Sequence, residues 1–229
     1  MMYKDEIQEI KDRYQRRKST REHLFSEKYK DYTAYLINER ELVYTKILHD
    51  RHGTDLRGLT FLEIGAGVGS NIPLFYKLGL NKSDIWLNEL LEDRLLVLER
   101  EHSETNILPG DALDLKINQK FDIVFQSAVF SSILDLDFRK ALADKMMKLL
   151  KPGGLLLWYD FIYDNPFNND VKGIPVKEIR RLFPDLKFNF QRVTFLPPLG
   201  RIMGKNVKWF NRILPVLRTH VVAWAIKKD

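Results

Sequence analysis

A glycine-rich turn is the first segment of the chain whose residue types suggest ligand binding. It follows a short apolar run, Thr60–Ile64, and places glycines at Gly65, Gly67 and Gly69. Glycine accepts a positive φ and has no Cβ, so a ligand can approach the backbone closely. The spacing departs from the G-x-G-x-x-G pattern of dinucleotide-binding turns, and no Gly-Lys-Ser/Thr follows as in phosphate-binding P-loops. An ordinary tight turn remains the alternative to a binding loop.

Two carboxylates follow the next two predicted strands. Glu89 comes after the strand predicted at Ile85–Leu87, and Asp111 after the strand predicted at Asn106–Leu108. The first can accept hydrogen bonds from the ribose hydroxyls of an adenosine, and the second from the adenine amino group. Each acid alone could equally be a solvated surface residue. Together with the glycine turn, the two acids favour a nucleoside site.

The elements that must position these residues form an alternating pattern. After Gly58, short apolar runs alternate with helical segments, which predicts a Rossmann-like, doubly wound α/β sheet. Helices are predicted to begin near Asn71, Leu91 and Asp137, and a later one covers Val176–Phe183. The predicted strands are Thr60–Ile64, Ile85–Leu87, Asn106–Leu108, Phe121–Gln126, Leu155–Tyr159, Phe188–Phe195 and His220–Ile226.

The segment before the sheet is predicted to be a helical cap. Ile7, Ile10 and Tyr14 recur at helical spacing, and a second apolar stripe lies between Tyr35 and Ile47. The segment Ser19–Glu22 has the spacing of a capping box. This leader could be a packing flank or a cap over a cleft, and we favour the cap because pockets commonly need a wall from outside the sheet.

A basic amphipathic insert precedes the last predicted strand. Residues 199–217 mix apolar side chains with lysine and arginine. This stripe could lie on an anionic membrane or face the core with a solvated basic edge. The predicted division of the chain is a helical cap of residues 1–57 and a domain of residues 58–229, with the helical insert at about 197–218.

Composition and charge exclude several classes of protein. The 229 residues contain no cysteine, which excludes disulfide frameworks, thiolate nucleophiles and cysteine-ligated zinc. No run approaches the roughly 18 apolar residues of a membrane span, and no apolar signal region is visible, so we expect a cytoplasmic location. The net charge of +6 favours anionic partners. No histidine–carboxylate cluster has metal-ligand spacing, so no metal is predicted.

Taken together, these motifs resemble class I S-adenosylmethionine-dependent methyltransferases over about residues 58–226. Phe121–Gln126 matches the family's fourth-strand segment, and Leu150–Gly154 matches the segment before its fifth strand. The resemblance implies S-adenosylmethionine as cofactor and an antiparallel final strand, where His220–Ile226 falls. The cofactor-binding residues that it implies are Glu63, Gly65, Ala66, Gly67, Gly69, Glu89, Asp111, Ala112 and Gln126.

A narrower resemblance concerns the acceptor of the methyl group. The segments Trp158–Phe161, Asn165–Pro166, Val171–Ile174 and Glu178–Pro184 resemble bacterial methyltransferases associated with surface-glycan or secondary-metabolite assembly. This implies O-methylation of a small molecule or of a sugar hydroxyl, on an acceptor that could be lipid-linked.

The loop after the fourth strand contains no histidine, so another residue must serve if a base is needed. Asp160 is the first candidate because it ends the fifth strand, on the side where ligands bind in open α/β sheets. It could instead only orient the loop. Ser127, Tyr159 and Tyr163 are candidates for the acceptor pocket, while His220 could equally be a buried residue.

Two other functions stay open at this point. Asp164–Phe167 is similar to the Asn-Pro-Pro-Tyr loop of nucleic-acid amino methyltransferases, but it lacks the second proline and follows the fifth strand instead of the fourth. A nucleic-acid acceptor is therefore disfavoured despite the basic charge. A non-catalytic S-adenosylmethionine-binding protein would show the same cofactor motifs.

Overall fold

A computed structural model describes residues 3–18, 27–166 and 168–228. The α-helices are α1 (Lys4–Arg16), α2 (Lys30–His52), α3 (Ile72–Lys77), α4 (Glu92–Glu101), α5 (Leu136–Leu149), α6 (Val176–Leu182), α7 (Pro197–Met203) and α8 (Val207–Ile213). The strands are β1 (Phe61–Ile64), β2 (Ile85–Glu89), β3 (Asn106–Pro109), β4 (Phe121–Ser127), β5 (Leu150–Phe161), β6 (Asn189–Phe195) and β7 (Arg218–Ile226). The predicted capping box at Ser19–Glu22 lies outside the described residues, as does Phe167 of the asparagine–proline loop.

The strands form one sheet in the order β3-β2-β1-β4-β5-β7-β6. All neighbours from β3 to β5 are parallel, whereas β7 runs antiparallel to both β5 and β6. The predicted fold class is therefore confirmed, including the antiparallel final strand. The strand order reverses between β1 and β4, and ligands bind in the crevice at such a switch point.

The main differences from the predicted elements are at strand starts. β5 begins at Leu150 instead of Leu155 because Leu150 already pairs with Phe121, and a register shift accommodates the turn that follows. β7 begins at Arg218, which pairs with Phe195, instead of at His220. Turn residues suggest a loop in the sequence, and only the partner strand shows that the backbone is already hydrogen-bonded.

Apolar layers cover both faces of the sheet. Trp158 belongs to the layer that includes α5 and α6, and the next residue, Tyr159, belongs to the layer that includes α2 and α3. This alternation fixes the face to which each side chain of β5 points. Ile10 of α1 and Leu48 of α2 are buried in these layers, so both N-terminal helices contribute to the core. The division at residue 57 stays a prediction.

The basic insert, defined here as residues 197–217, forms α7 and α8 with short 3₁₀ turns after each. Val207 of the insert is buried in a small apolar cluster with Tyr32 and Phe195. Within the described ranges, no helix is long and apolar enough to cross a membrane.

Candidate active site

The glycine turn after β1 has the backbone that the sequence predicts. Gly65, Gly67 and Gly69 have φ values of +65°, +63° and +78°. A Cβ at Gly65 would lie 2.5 Å from Val129 Cγ2, and one at Gly69 would lie 2.3 Å from His102 Nε2. Gly65 and Gly67, with Ala66 between them, line a cavity, whereas Gly69 packs against α4 and supports the turn from behind.

Glu89 ties this turn to the sheet. It is 3% exposed, and its Oε2 accepts a hydrogen bond from Gly67 N at 2.7 Å. Its Oε1 accepts from Leu90 N and Leu91 N, each at 2.9 Å. Burial raises the pKa of Glu89, while nearby Arg94 and the three backbone donors oppose that shift. Glu89 thus lines the cavity in a fixed orientation.

Asp111 and Ala112 line the same cavity beyond the end of β3. Asp111 Oδ1 accepts from Leu113 N at 3.0 Å, which fixes the carboxyl group at the start of a short 3₁₀ turn. Burial raises the pKa of Asp111. Phe138 and Leu142 of α5 add an apolar wall at this end, so a flat, apolar ring with a polar edge would fit there.

A buried acid and a partly buried cation line the cavity near the glycine turn. Glu63 is fully buried, with Oε1 accepting from Asn71 Nδ2 at 2.7 Å and Oε2 lacking a hydrogen-bond partner. Burial raises the pKa of Glu63 to about 8. Arg40 of α2 also lines the cavity, its Nε is buried without a partner, and its guanidinium lies 4.8 Å from the Tyr159 ring centroid. No carboxylate in the described residues pairs with Arg40 within 4.0 Å.

The other end of the cavity is built from β5, β6 and β7. The Tyr159 ring stacks on His220, with centroids 5.3 Å apart, and its hydroxyl is 2.9 Å from Thr194 Oγ1. His220 and Thr194 both line the cavity, as does Ser127 at the end of β4. This end of the cavity therefore carries hydroxyl and imidazole groups.

The tautomer of His220 follows from its hydrogen bonds. Thr219 Oγ1 donates to Thr194 O at 3.3 Å and lies 2.9 Å from His220 Nδ1. Since its single hydrogen is used, this hydroxyl accepts from Nδ1–H, which leaves the Nε2 lone pair available. Burial and the positive charge of Arg40 lower the pKa of His220 to about 3, so the ring is neutral near pH 7.

Besides Gly69, three predicted residues do not belong to the cavity lining found in the described residues. Asp160 points to the same face as Trp158, where its oxygens accept from Ser131 N at 3.1 Å and Phe161 N at 2.9 Å. Burial raises the pKa of Asp160 to about 7. Because adjacent strand residues alternate between faces, Tyr159 takes the cavity side and Asp160 does not. Its contacts suit the loop-orienting alternative.

Gln126 and Tyr163 also lie outside the cavity lining found in the described residues. Gln126 is buried, accepts from Val129 N at 3.0 Å and donates to Tyr159 O at 3.2 Å, so it holds the loop after β4 from below. Tyr163 is 53% exposed, and its hydroxyl accepts from Arg192 Nη2 at 2.5 Å. Both side chains are used by neighbouring loops and strands instead of by the cavity.

The sequence-based interpretation missed Arg40 as a site residue and did not decide on His220. Arg40 lies on α2, and no motif links it to the glycine turn. His220 starts the last predicted strand, where alternation could have indicated that it shares a face with Val222, but not which face meets the cavity.

One cavity of about 890 Å³ joins these groups. It runs from Asp111, past the glycine turn, to Tyr159 and His220, and Arg201 of α7 lies at its far end. Its size is within the range of small-molecule sites. Tyr14 of α1 and Tyr32 of α2 contribute to the walls, so the two N-terminal helices do lie against the cavity.

Comparison with known proteins identifies a methyltransferase domain in the chain. Residues 62–158 match the family model described as a methyltransferase domain. The chain is 26% identical over 190 residues to malonyl-[acyl-carrier protein] O-methyltransferase 2 of Ilyobacter polytropus, covering 80% of this chain and 67% of that protein. It is 30% identical over 121 residues to malonyl-[acyl-carrier protein] O-methyltransferase of Calditerrivibrio nitroreducens, covering 53% of this chain but only 42% of that relative.

Solved structures share the fold at low sequence identity. Burkholderia thailandensis 1,6-didemethyltoxoflavin-N1-methyltransferase has a TM-score of 0.59 and 18% identity, over 88% of this chain and 84% of that one. Haemonchus contortus phosphoethanolamine N-methyltransferase 2 has a TM-score of 0.58 and 17% identity, over 83% of this chain and 52% of that one.

The fold and the matching segment define a methyltransferase domain of class I. The matching segment and the fold support the family, the class of enzyme and the cofactor that are predicted from the sequence, an S-adenosylmethionine-dependent methyltransferase of class I and S-adenosylmethionine.

Proposed function

We propose that the protein transfers a methyl group from S-adenosylmethionine to an oxygen atom of a small-molecule acceptor in the cytoplasm. The observation that carries this proposal is the single cavity that joins the glycine turn to the polar wall of Tyr159, Thr194 and His220. Both curated relatives are named as O-methyltransferases, which supports oxygen as the methylated atom.

The residues of the cavity fit the cofactor group by group. Buried polar groups normally have partners, and a buried cation needs an anion. Arg40 and Glu63 leave one donor and one acceptor unpaired beside the glycine turn. A zwitterionic amino-acid group would satisfy both, with its carboxylate on Arg40 and its ammonium on Glu63.

The nucleoside would lie on the other side of the turn. Glu89 already accepts three backbone hydrogen bonds, and a carboxylate has roughly four lone-pair sites, so it retains room for a ribose hydroxyl. Asp111 would accept from the adenine amino group, and the adenine ring would pack between Phe138 and Leu142.

When bound, S-adenosylmethionine supplies a methyl group on a sulfonium, ready for in-line displacement by a nucleophile. The protein's main task is then to position the acceptor oxygen, which contributes about 7–11 kcal/mol, against about 3–5 kcal/mol for a general base. His220 Nε2 would accept the acceptor's O–H hydrogen bond and orient the oxygen, and it would take up the hydroxyl proton as the methyl group is transferred and pass it to water. Its low pKa suits this orienting role better than strong proton abstraction.

The acceptor would be a hydroxylated small molecule. More specifically, we propose that the methylated oxygen is a sugar hydroxyl of a glycan. Thr33, Thr194 and Tyr159 all line the acceptor end and offer hydrogen-bond partners for neighbouring hydroxyl groups. Arg201 would bind an acidic group on the same acceptor.

A transfer assay with labelled S-adenosylmethionine tests the proposal. The protein is incubated with fractionated small molecules, glycans, lipids and nucleic acids, and both label and S-adenosylhomocysteine are measured. We expect S-adenosylhomocysteine release and label in small molecules or glycans. Label in RNA or DNA would identify a nucleic-acid methyltransferase, and cofactor binding without any release would identify a non-catalytic binding protein.

A further inference from the structure

The basic insert has an unusual charge composition. Residues 197–217 contain no aspartate or glutamate but four basic residues. These are Arg201, Lys205, Lys208 and Arg212. In the described part of the chain, none of the four has a carboxylate partner within 4.0 Å. The insert is therefore a compact, uncompensated positive surface.

The inner face of the insert is fixed to the rest of the molecule. A Cβ at Gly200 would lie 2.1 Å from Tyr32 Cε2, so the α7 backbone packs directly on that ring. Asn211 is 2% exposed, donates to Glu39 Oε1 at 2.6 Å and accepts from Arg218 Nε at 2.9 Å. These contacts hold the insert in one orientation, so its outer face is a defined surface.

The outer face is apolar as well as basic. Six of the twelve exposed large hydrophobic side chains in the described residues belong to the insert. They are Leu199, Ile202, Trp209, Ile213, Leu214 and Val216. Ile202 is 83% exposed and Trp209 is 60% exposed. The stripe seen in the sequence is thus divided between core and solvent, since Val207 is buried while these residues are not.

We propose that this outer face binds peripherally to the surface of an anionic lipid membrane. Exposed tryptophan and aliphatic side chains beside lysine and arginine are the combination that inserts into the headgroup boundary. The basic residues attract anionic lipids, and the apolar side chains leave water on binding. A protein partner is less favoured because lysine is depleted in protein interfaces.

The position of the insert connects this surface to the cavity. Pro197 and Arg201 belong to the insert and also line the acceptor end of the cavity. A membrane bound at the outer face would therefore lie beside the acceptor end, and an amphiphilic acceptor could enter from it. This last step rests on the proposed function, whereas the membrane contact itself does not.

Flotation with lipid vesicles tests the membrane contact. Vesicles of phosphatidylcholine alone are compared with vesicles that also contain phosphatidylserine. We expect binding only to the second kind. Because each basic residue near an anionic surface contributes roughly a five-fold change in partition, K205Q/K208Q should weaken binding about 25-fold. I202S/W209A should weaken binding at least about tenfold through lost apolar burial.

Matched variants separate this surface from general charge and hydrophobicity. Lys116 and Lys120 are exposed before β4, and Leu96 is 68% exposed on α4. K116Q/K120Q and L96S should leave vesicle binding unchanged. S-adenosylhomocysteine affinity, measured by calorimetry on every variant, should also stay unchanged, which shows that each variant folds and keeps its cofactor site.

Three results would overturn the membrane proposal. The first is equal binding to neutral and anionic vesicles, or binding to neither. The second is an equal loss of binding in the K116Q/K120Q control. The third is failure to bind vesicles together with a stoichiometric complex with an acidic protein that K205Q/K208Q abolishes. Failure of the proposed methyl transfer would appear separately, in the S-adenosylhomocysteine release assay, which contains no vesicles.

Discussion

Two substitutions at opposite ends of the cofactor region should affect different parts of the same ligand. Glu89→Gln removes the carboxylate assigned to the ribose, and Arg40→Gln removes the guanidinium assigned to the amino-acid carboxylate. A hydrogen bond to a charged group contributes about 1.5–3 kcal/mol, so each variant should lose about 10- to 100-fold in affinity for S-adenosylhomocysteine.

A second ligand separates the two effects. 5′-Methylthioadenosine keeps the adenine and ribose of the cofactor but lacks its amino-acid end. Glu89→Gln should therefore weaken binding of both ligands, whereas Arg40→Gln should weaken only S-adenosylhomocysteine. Isothermal titration calorimetry of two variants with two ligands gives the four values needed, and Glu92→Gln, an exposed neighbour of Glu89 on α4, is the matched control.

Two results for Arg40→Gln would contradict the assignment of its guanidinium to the amino-acid carboxylate. Equal losses for both ligands in Arg40→Gln would mean that Arg40 acts on the fold or on the nucleoside. Unchanged S-adenosylhomocysteine affinity in Arg40→Gln would leave the buried guanidinium without its assigned partner. Glu89→Gln also weakens the hydrogen bonds that three backbone N–H groups donate to this side chain. Its loss of affinity therefore includes a structural effect, so thermal unfolding must be measured on the same variant.

Three further predictions concern turnover, the glycine turn and pH. His220→Asn removes the Nε2 acceptor and should slow methyl transfer at least about tenfold while S-adenosylhomocysteine affinity stays the same; unchanged turnover would remove His220 from the acceptor site. Gly65→Ala should abolish cofactor binding in calorimetry, because its Cβ would lie 2.5 Å from Val129 Cγ2 at a φ of +65°; near-native affinity would contradict this geometry. Burial raises the pKa of Asp160 from 3.8 to about 7, so the folded state holds a proton that the unfolded state has lost. The free energy of unfolding should therefore fall as pH rises through that window, and denaturant titrations should show a smaller fall in Asp160→Asn; an equal fall would place the titration elsewhere, with Glu63 as the next candidate.

Local features of the chain predict the proposed cofactor end of the site. The glycine turn depends on φ values that only glycine adopts easily, and its three glycines have those values. Glu89 and Asp111 each follow a short apolar strand, and parallel strands bring their carboxyl ends to one edge of the sheet. Each of these signals lies within a few residues of the group that it positions.

The acceptor end could not be predicted in the same way. Residues 155–160 of β5 are buried on both faces, and their sequence lacks the alternation of apolar and polar residues that would show which side meets the cavity. Asp160 was the first candidate for a base because it ends β5, but its carboxyl group faces Ser131 of the loop after β4, while Tyr159 takes the cavity side. The insertion of β7 between β5 and β6 brings His220 beside Tyr159.

Periodicity and turn chemistry act over short stretches of chain, so they predict the class of fold from the residues alone, and the resemblance of the motifs to a known family adds the class of enzyme and the cofactor. Which buried polar groups share a cavity depends on the packing of elements that are distant in the chain. Arg40 and Glu63 meet there from separate elements, and their unpaired atoms become visible only once packing has removed water from around them. Only folding removes water from these groups. A polar atom that is then left without a partner is stabilised when a charged ligand binds to it.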